Sequence, residues 1–325
     1  MDDEPWNERR IYNSTDRGLN YNLPGHDIMI PILRKRPTRV VFESDSTVRK
    51  YGSPLRIQKE AEAIAFVRKH TCIPVPEIKE YEVSENGGWF LMTRSAGSQL
   101  DICWPKMTED ARAETAVQLQ SYITQLRNLQ PPKPGWIGSC TGGSAYDHRL
   151  NNGFPCGPFD SVSSFNDYLV EPVKNCPKPE LSIKYREMLS DNYCSNFAHA
   201  DLSYGNILVD ESTGHVTCIL DWEMAGFLPE WWEYRKALFG SLWQKWWVDL
   251  VKKILTPYEK ELEAERCFGV FPKSKSSVGA KSILHDIPLS RPIMRSHGEE
   301  RLPSPFLFWI NLMDIIIADE RGADF

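Results

Sequence analysis

The stretch Phe197-Ala198-His199-Ala200-Asp201-Leu202-Ser203-Tyr204-Gly205-Asn206-Ile207-Leu208-Val209-Asp210 concentrates the chemistry of this chain. Asp201 is followed by Asn206 across a short loop, and an apolar run comes next. A carboxylate so placed can accept the proton of an attacking hydroxyl, and an amide oxygen in the same loop can hold a Mg²⁺ that bridges nucleotide phosphates. Gly205 permits a tight backbone path before the run. After the turn Glu211-Ser212-Thr213-Gly214, a second apolar run at 216–220 ends at Asp221. If the two runs pair as a hairpin, Asp221 stands beside Asn206 as a second oxygen ligand of the kind Mg²⁺ takes at phosphate sites. Taken singly, His199 and Asp201 would cap a turn and Asp221 would end a strand. Their order and spacing together point to phosphoryl transfer.

Lys50, in Val48-Arg49-Lys50-Tyr51, belongs to the same chemistry. A strand lysine facing a cleft can pair with the α- and β-phosphates, and a helix glutamate can hold it there. Glu60, near the opening of the next helix, is the candidate partner and Glu62 the alternative.

These residues need a scaffold, and the pattern supplies one. Short strands are expected at 28–33, 39–42 and 47–51, with the turn Glu43-Ser44-Asp45-Ser46 between the last two. Ala61, Ile64, Ala65 and Val67 form a helical stripe that Pro74 and Pro76 bring to a stop. A hairpin at 77–83 and 89–93 follows, joined through Glu85-Asn86-Gly87-Gly88. The stretch 27–95 is thus expected to be a five-stranded antiparallel sheet with one helix. From 96 to 271 the chain reads as mostly helical, with helices at 108–129, 163–170, 180–192, 231–255 and 259–266. The Gly-, Pro-, Ser- and Asn-rich segment 134–158 reads as a long loop of the lid or binding type. Residues 1–26 read as an extension, and 272–325 as a flexible tail with a short helix at 305–319. The expected class is α+β, in two lobes.

Composition narrows the function. A chain of 325 residues suits a two-lobed enzyme, and a net charge of −6 speaks against a nucleic-acid surface. The eight cysteines include no C-x-x-C pair, which disfavours zinc and fits reduced thiols. The N-terminus lacks a basic and apolar leader, and the longest apolar stretch, 305–318, is interrupted by Asn311 and Asp314. That falls short of the roughly 20 residues a membrane span needs, so a cytoplasmic protein is expected.

Together the motifs resemble the aminoglycoside phosphotransferase and choline kinase-like enzymes, and more closely the large fungal branch of that family. The matching stretches include Glu60-Ala61-Glu62-Ala63, His70-Thr71-Cys72-Ile73-Pro74-Val75-Pro76 and Gly157-Pro158-Phe159 with Phe165-Asn166-Asp167-Tyr168-Leu169. The last are 199–210, Leu220-Asp221-Trp222-Glu223-Met224-Ala225-Gly226-Phe227 and Pro229-Glu230-Trp231-Trp232-Glu233-Tyr234. The resemblance implies a protein-kinase-like bilobal fold, ATP and Mg²⁺, and a small-molecule hydroxyl as acceptor. It implies Asp201, in its loop with His199, as the base and Asn206 and Asp221 as metal ligands. Lys50 and Glu60 would position the phosphates, and the backbone of Met92, Thr93, Arg94 and Ser95 would be the hinge that meets adenine.

Two features go beyond that pattern. Trp222, Trp231, Trp232, Trp243, Trp246 and Trp247 lie close in sequence. They are expected in the core, with Trp232 or Trp243 as the exceptions that would meet a cationic acceptor by cation–π attraction. Glu223 and Glu230 would add negative charge there. The other feature is Arg34-Lys35-Arg36-Pro37-Thr38, where a nucleotide-covering loop would carry glycine and this chain has none. It motivates a second reading, a kinase-fold binding or scaffold protein; a third is a kinase-like protein serving another reaction in natural-product metabolism.

Overall fold

The computed structural model describes residues 38–148, 150, 154–174, 180–239 and 244–267. The strand expected at 28–33, the extension 1–26, the glycine-free stretch 34–37, Trp243 and the tail from 268 onward lie outside the described residues.

Strands β1 (Arg39–Phe42) and β2 (Thr47–Gly52) pair antiparallel around the turn at Glu43–Ser46. Strands β3 (Ile78–Ser84) and β4 (Gly87–Thr93) form the second hairpin. The sheet runs β1-β2-β4-β3, four strands among the described residues where five were expected. Lys50 is held between Val40 of β1 and Phe90 of β4, in the middle of the sheet. Val48, Lys50 and Gly52 are buried and Tyr51 is exposed, as the period of two requires.

Helix α1 (Pro54–His70) starts a full turn or more before the apolar stripe, because Pro54 occupies the first turn, where no backbone donor is needed. Its buried face carries Ile57, Glu60, Ala63, Ile64 and Val67. Glu60 therefore stands mid-helix on the packed side rather than at the helix opening. Gly87 and Gly88, expected in the turn, are the first residues of β4. A Cβ at Gly88 would lie 3.1 Å from Ile57, so the glycine lets α1 close on the sheet.

The second part begins with β5 (Ser98–Gln99), α2 (Leu100–Cys103) and α3 (Glu109–Arg127). Thr108 caps α3, its hydroxyl accepting from the Ala111 amide at 3.2 Å, and Glu109 and Asp110 suit the positive end of the helix. Helices α4 (Val162–Lys174) and α5 (Glu180–Met188) follow. Then come β6 (Ser195–Ala198), β7 (Ile207–Val209), β8 (Val216–Ile219) and β9 (Gly226–Pro229). These strands form a β5-β7-β8 sheet and a β6-β9 ribbon. The helix expected over 231–255 is two helices, α6 (Trp232–Phe239) and α7 (Lys245–Ile254), before α8 (Glu259–Cys267).

The segment 134–158 is not a free lid where it is described. Bridges Ile137↔Phe159, Gly138↔Phe227 and Ala145↔Cys156 tie it to the body, and Ile137 is wholly buried. Trp222 and Trp247 are inaccessible in one core cluster and Trp231 and Trp232 in a second. These four are thus packing, each indole removing a large apolar surface from water. Among the described residues, no helix is long and apolar enough to cross a membrane.

Candidate active site

The loop from His199 to Asn206 leaves the sheet at the Ala198↔Gly226 end of the β6-β9 ribbon. Its second residue, Ala200, has φ 61°, a left-handed conformation costly for a residue with a Cβ. Glu233, in the first turn of α6, holds that conformation. Its Oε2 accepts from the His199 amide at 2.5 Å and from the Ala200 amide at 3.2 Å.

His199 is buried and locks the loop from inside. Asp201 N–H donates to its Nδ1 at 3.1 Å, so the proton sits on Nε2, which donates to Leu220 O at 2.8 Å. Burial pushes the imidazole down to about 4, and the ring stays neutral against Trp222, 4.4 Å between centroids. Both ring nitrogens face protein, so His199 acts on the loop's shape.

Asp201 and Asn206 meet as the spacing suggested. Asn206 Nδ2 donates to Asp201 O at 2.9 Å and reaches its Oδ2 at 3.3 Å. Asp201 keeps some exposure, but its carboxyl is largely enclosed. That burial pushes it up to about 7, with Lys236 opposing and Asp221 adding to the rise.

The β7-β8 hairpin sets Asp221 beside this pair. Ile207 faces Ile219, and Leu220 N–H donates to Asn206 O at 2.8 Å. Asp221 itself has φ 68°, the second non-glycine residue in the left-handed region. Trp222 Nε1 donates back to Ile219 O at 2.9 Å and pins the turn that follows.

Lys50 comes from the other side of the cleft. Its Nζ is 2.6 Å from Glu60 Oε2 and 2.6 Å from Asp221 Oδ1. Burial works against the ammonium, but Asp221, Glu60 and Glu223 outweigh it and raise its pKa. Glu62, the alternative partner, instead bonds Gln58 and Thr141. Carboxylate oxygens of Glu60, Asp221 and Glu223 lie within 4.8 Å of one another. With Asn206 tied through its nitrogen, its amide oxygen is the free end. Hard oxygen donors of this kind fit Mg²⁺.

The expected hinge is placed less simply. Met92 lies between Val48 and Ile78 within the sheet. The Thr93 amide donates to Glu77 O at 2.9 Å and the Arg94 amide to Ser46 O at 2.8 Å. Those two donors are therefore committed to the sheet edge, and a base can meet only the carbonyls here or the chain from Ser95 onward.

Two expected acceptor contacts are not at an open surface near Asp201. Trp232 is wholly buried, its Nε1 donating to Asp147 Oδ2 at 3.2 Å and its ring against Phe165. Glu230 follows the Ser195↔Pro229 end of the ribbon, opposite the end from which the His199 loop departs, and lines a small cavity with Ile123, Leu126 and Arg127. Glu223 does reach the site, but as a buried anchor. Its Oε2 takes Arg56 Nε at 2.8 Å and its Oε1 takes His148 Nε2 at 2.7 Å. Burial opposes its charge, but Arg56 and His148 outweigh it and hold the carboxyl far below its ordinary range.

Five residues went unread in the sequence: Glu233, Arg56, His148 and the buried pair Lys236 and Asp147, 2.7 Å apart. Only Glu233 carried a signal, an acid in the first turn of the helix that follows Asp221.

Residues 193–265 match the model of the phosphotransferase enzyme family, APH. A comparison with curated proteins gave no match. Among solved structures, the chain is similar to a type VIII aminoglycoside-3'-phosphotransferase, with 15% identity, TM-score 0.45, and 70% of this chain and 92% of that one covered. It is similar to a GDP complex of a mutant aminoglycoside 2'-phosphotransferase-IIIa, with 14% identity, TM-score 0.48, and 71% and 75% covered. A third is aminoglycoside phosphotransferase APH(3'')-Id from Streptomyces rimosus with ADP and streptomycin, with 15% identity, TM-score 0.45, and 73% and 94% covered. The segment that carries Asp201, Asn206, Asp221 and Glu233 is thus similar to the phosphotransferase enzyme family.

Proposed function

We propose that this chain is an ATP- and Mg²⁺-dependent phosphotransferase that moves the γ-phosphoryl group to a hydroxyl of a small molecule. The observation that carries the reading is the convergence of Lys50, from the sheet, on Asp221, which the β7-β8 hairpin sets beside Asn206 and Asp201. Asp201 would orient the acceptor hydroxyl and take its proton, and a carboxyl raised towards neutrality suits that task. Lys50, held by Glu60, would turn from Asp221 to the nucleotide phosphates. Asn206 and Asp221 would hold the Mg²⁺, which offsets phosphate charge when bound. His199 and Glu233 keep Asp201 in place while this happens.

The test is ADP release from Mg-ATP in the presence of an acceptor panel, with Asp201→Ala as the control. The variant should lose turnover and keep its thermal stabilisation by Mg-ATP. Wild-type turnover in Asp201→Ala would remove Asp201 from the mechanism. The glycine-free stretch 34–38 favours a second reading, a nucleotide-free binding protein. Absence of any thermal shift with Mg-ATP would decide for it.

A further inference from the structure

Helix α1 carries Glu60 to the site, and it is fastened on both sides of that residue. Beyond Glu60 the fastening is apolar. Ala63, Ile64 and Val67 are buried in a core cluster shared with the second part of the chain, and the Phe66 ring lies 5.1 Å from that of Phe197. Before Glu60 the fastening includes a buried ion pair. Arg56 Nε donates to Glu223 Oε2 at 2.8 Å, the two side chains being 14% and 1% exposed. Arg56 precedes Glu60 by about one helical turn, so the two stand on the same side of α1. Glu223 follows Asp221 by two residues, in the turn that Trp222 Nε1 pins.

Two links thus join α1 to the Asp221 turn side by side. One is Lys50, whose Nζ is 2.6 Å from Glu60 Oε2 and 2.6 Å from Asp221 Oδ1. The other is Arg56 with Glu223. Their duties differ once Mg-ATP binds, given the phosphotransfer reading on which this inference rests. Lys50 then turns to the phosphates and Asp221 to the metal, so the bridge between them is given up. Glu223 has both oxygens engaged by the chain itself, Oε2 by Arg56 and Oε1 by His148 Nε2 at 2.7 Å. Its pair with Arg56 can therefore stay closed. Asp221 also needs a hold from its surroundings, because its φ of 68° is costly for a residue with a Cβ.

We propose that Arg56 is a positioning residue for the nucleotide site: paired with Glu223, it keeps α1 against the Asp221 turn when Lys50 leaves Asp221 for the phosphates. Without this pair, Glu60 and Lys50 draw away from Asp221 as the bridge opens, and metal and phosphates meet a wider cleft. The loss falls on the nucleotide-bound state, since in the free protein the Lys50 bridge holds the same two elements together.

Calorimetric titration with Mg-ATP and thermal unfolding of the free protein test this. Arg56→Met alone leaves a buried carboxylate without its guanidinium and should unfold well below the wild type. The double variant Arg56→Met with Glu223→Gln removes both charges together, so its free form should unfold near the wild type. Its Kd for Mg-ATP should nevertheless rise about tenfold, the size of one charge-assisted hydrogen bond lost from the bound state. Arg56→Lys, which keeps a cation facing Glu223, should bind Mg-ATP more tightly than Arg56→Met. Thr141→Val removes an outer tie of the same helix, Thr141 Oγ1 to Glu62 Oε2 at 3.0 Å, and should bind as the wild type does. Wild-type affinity in the double variant overturns the inference and leaves the phosphotransfer reading standing. A loss in Thr141→Val equal to that in the double variant also overturns it, since any tie on α1 would then serve. A wild-type protein that does not bind Mg-ATP overturns both. Mg-ATP binding that weakens in the double variant, with no acceptor phosphorylated by the wild type, removes the phosphotransfer reading and leaves Arg56 in its role.

Discussion

Glu233 Oε2 accepts the backbone N–H of His199 at 2.5 Å and that of Ala200 at 3.2 Å, so one carboxylate on α6 fixes the entrance to the Asp201 loop. Ala200 is left-handed and would relax without that hold. Glu233→Gln keeps the shape but replaces a charged acceptor by a neutral one, and charge-assisted bonds are about twice as strong. We expect kcat to fall about a hundredfold, as loss of a buried charged acceptor costs about 1–3 kcal/mol. The KM of ATP should stay within about twofold, because the nucleotide groups are elsewhere. Steady-state kinetics with ATP varied read both numbers, and an equal loss in both would assign Glu233 to folding alone.

Lys50 Nζ lies 2.6 Å from a carboxylate oxygen of Glu60 and 2.6 Å from one of Asp221. Lys50→Met leaves those two carboxylates without the ammonium they share, and breaking a buried pair in this way costs about 3–5 kcal/mol. Thermal unfolding of the variant should occur several degrees lower than in the wild type. Added Mg²⁺ should restore part of the loss in the variant, since a divalent ion can take the vacated charge. ATP affinity by calorimetry should drop by at least about tenfold. A Lys50→Met protein that binds ATP as the wild type does would take Lys50 out of the phosphate site.

What the sequence disclosed follows from distance along the chain. Asp201, Asn206 and Asp221 lie within one loop and one hairpin, so local spacing was enough to bring them together. Lys50 and Glu60 were legible because a strand and the next helix form one local unit, although the helix began earlier than its apolar stripe suggested. Glu233, His148 and Arg56 reach the site through tertiary packing, with partners far away in sequence. No period or motif marks such pairs. Trp232 and Glu230 misled for the same reason: their nearness to Asp221 in sequence did not reveal which end of the β6-β9 ribbon, or which side of α6, each would occupy.

His199 makes the protein acid-sensitive. Its pKa falls from 6.5 to about 4 on folding. Between those values the unfolded chain binds a proton that the native state refuses, so stability is full above pH 6.5 and is lost as pH falls towards 4. The loss amounts to about 3 kcal/mol across the window. His199→Gln cannot titrate, so its unfolding midpoint in urea should change less between pH 7 and about pH 4.5 than that of the wild type. Parallel profiles for the two proteins would show that His199 does not carry the acid sensitivity.

Asp201 should show the opposite sign. Burial raises its carboxyl from 3.8 to about 7, so the native state keeps a proton that the unfolded chain has released. The group is neutral in both states below its unfolded value, and its burden on stability grows as pH rises to about 7 and is constant above. At pH 8 the burden is of the order of a few kcal/mol. Asp201→Asn holds the same shape without a charge to bury. Its turnover should fall by about a thousandfold or more, the scale of a lost general base. Its stability without ligands should exceed that of the wild type at pH 8, and the advantage should shrink steadily as pH is lowered towards 4. Urea unfolding of both proteins across that range measures the difference directly. A variant less stable than the wild type at pH 8 would mean that Asp201 is ionised and paired in the native protein, and that its neighbours, Lys236 foremost, set its charge more than burial does.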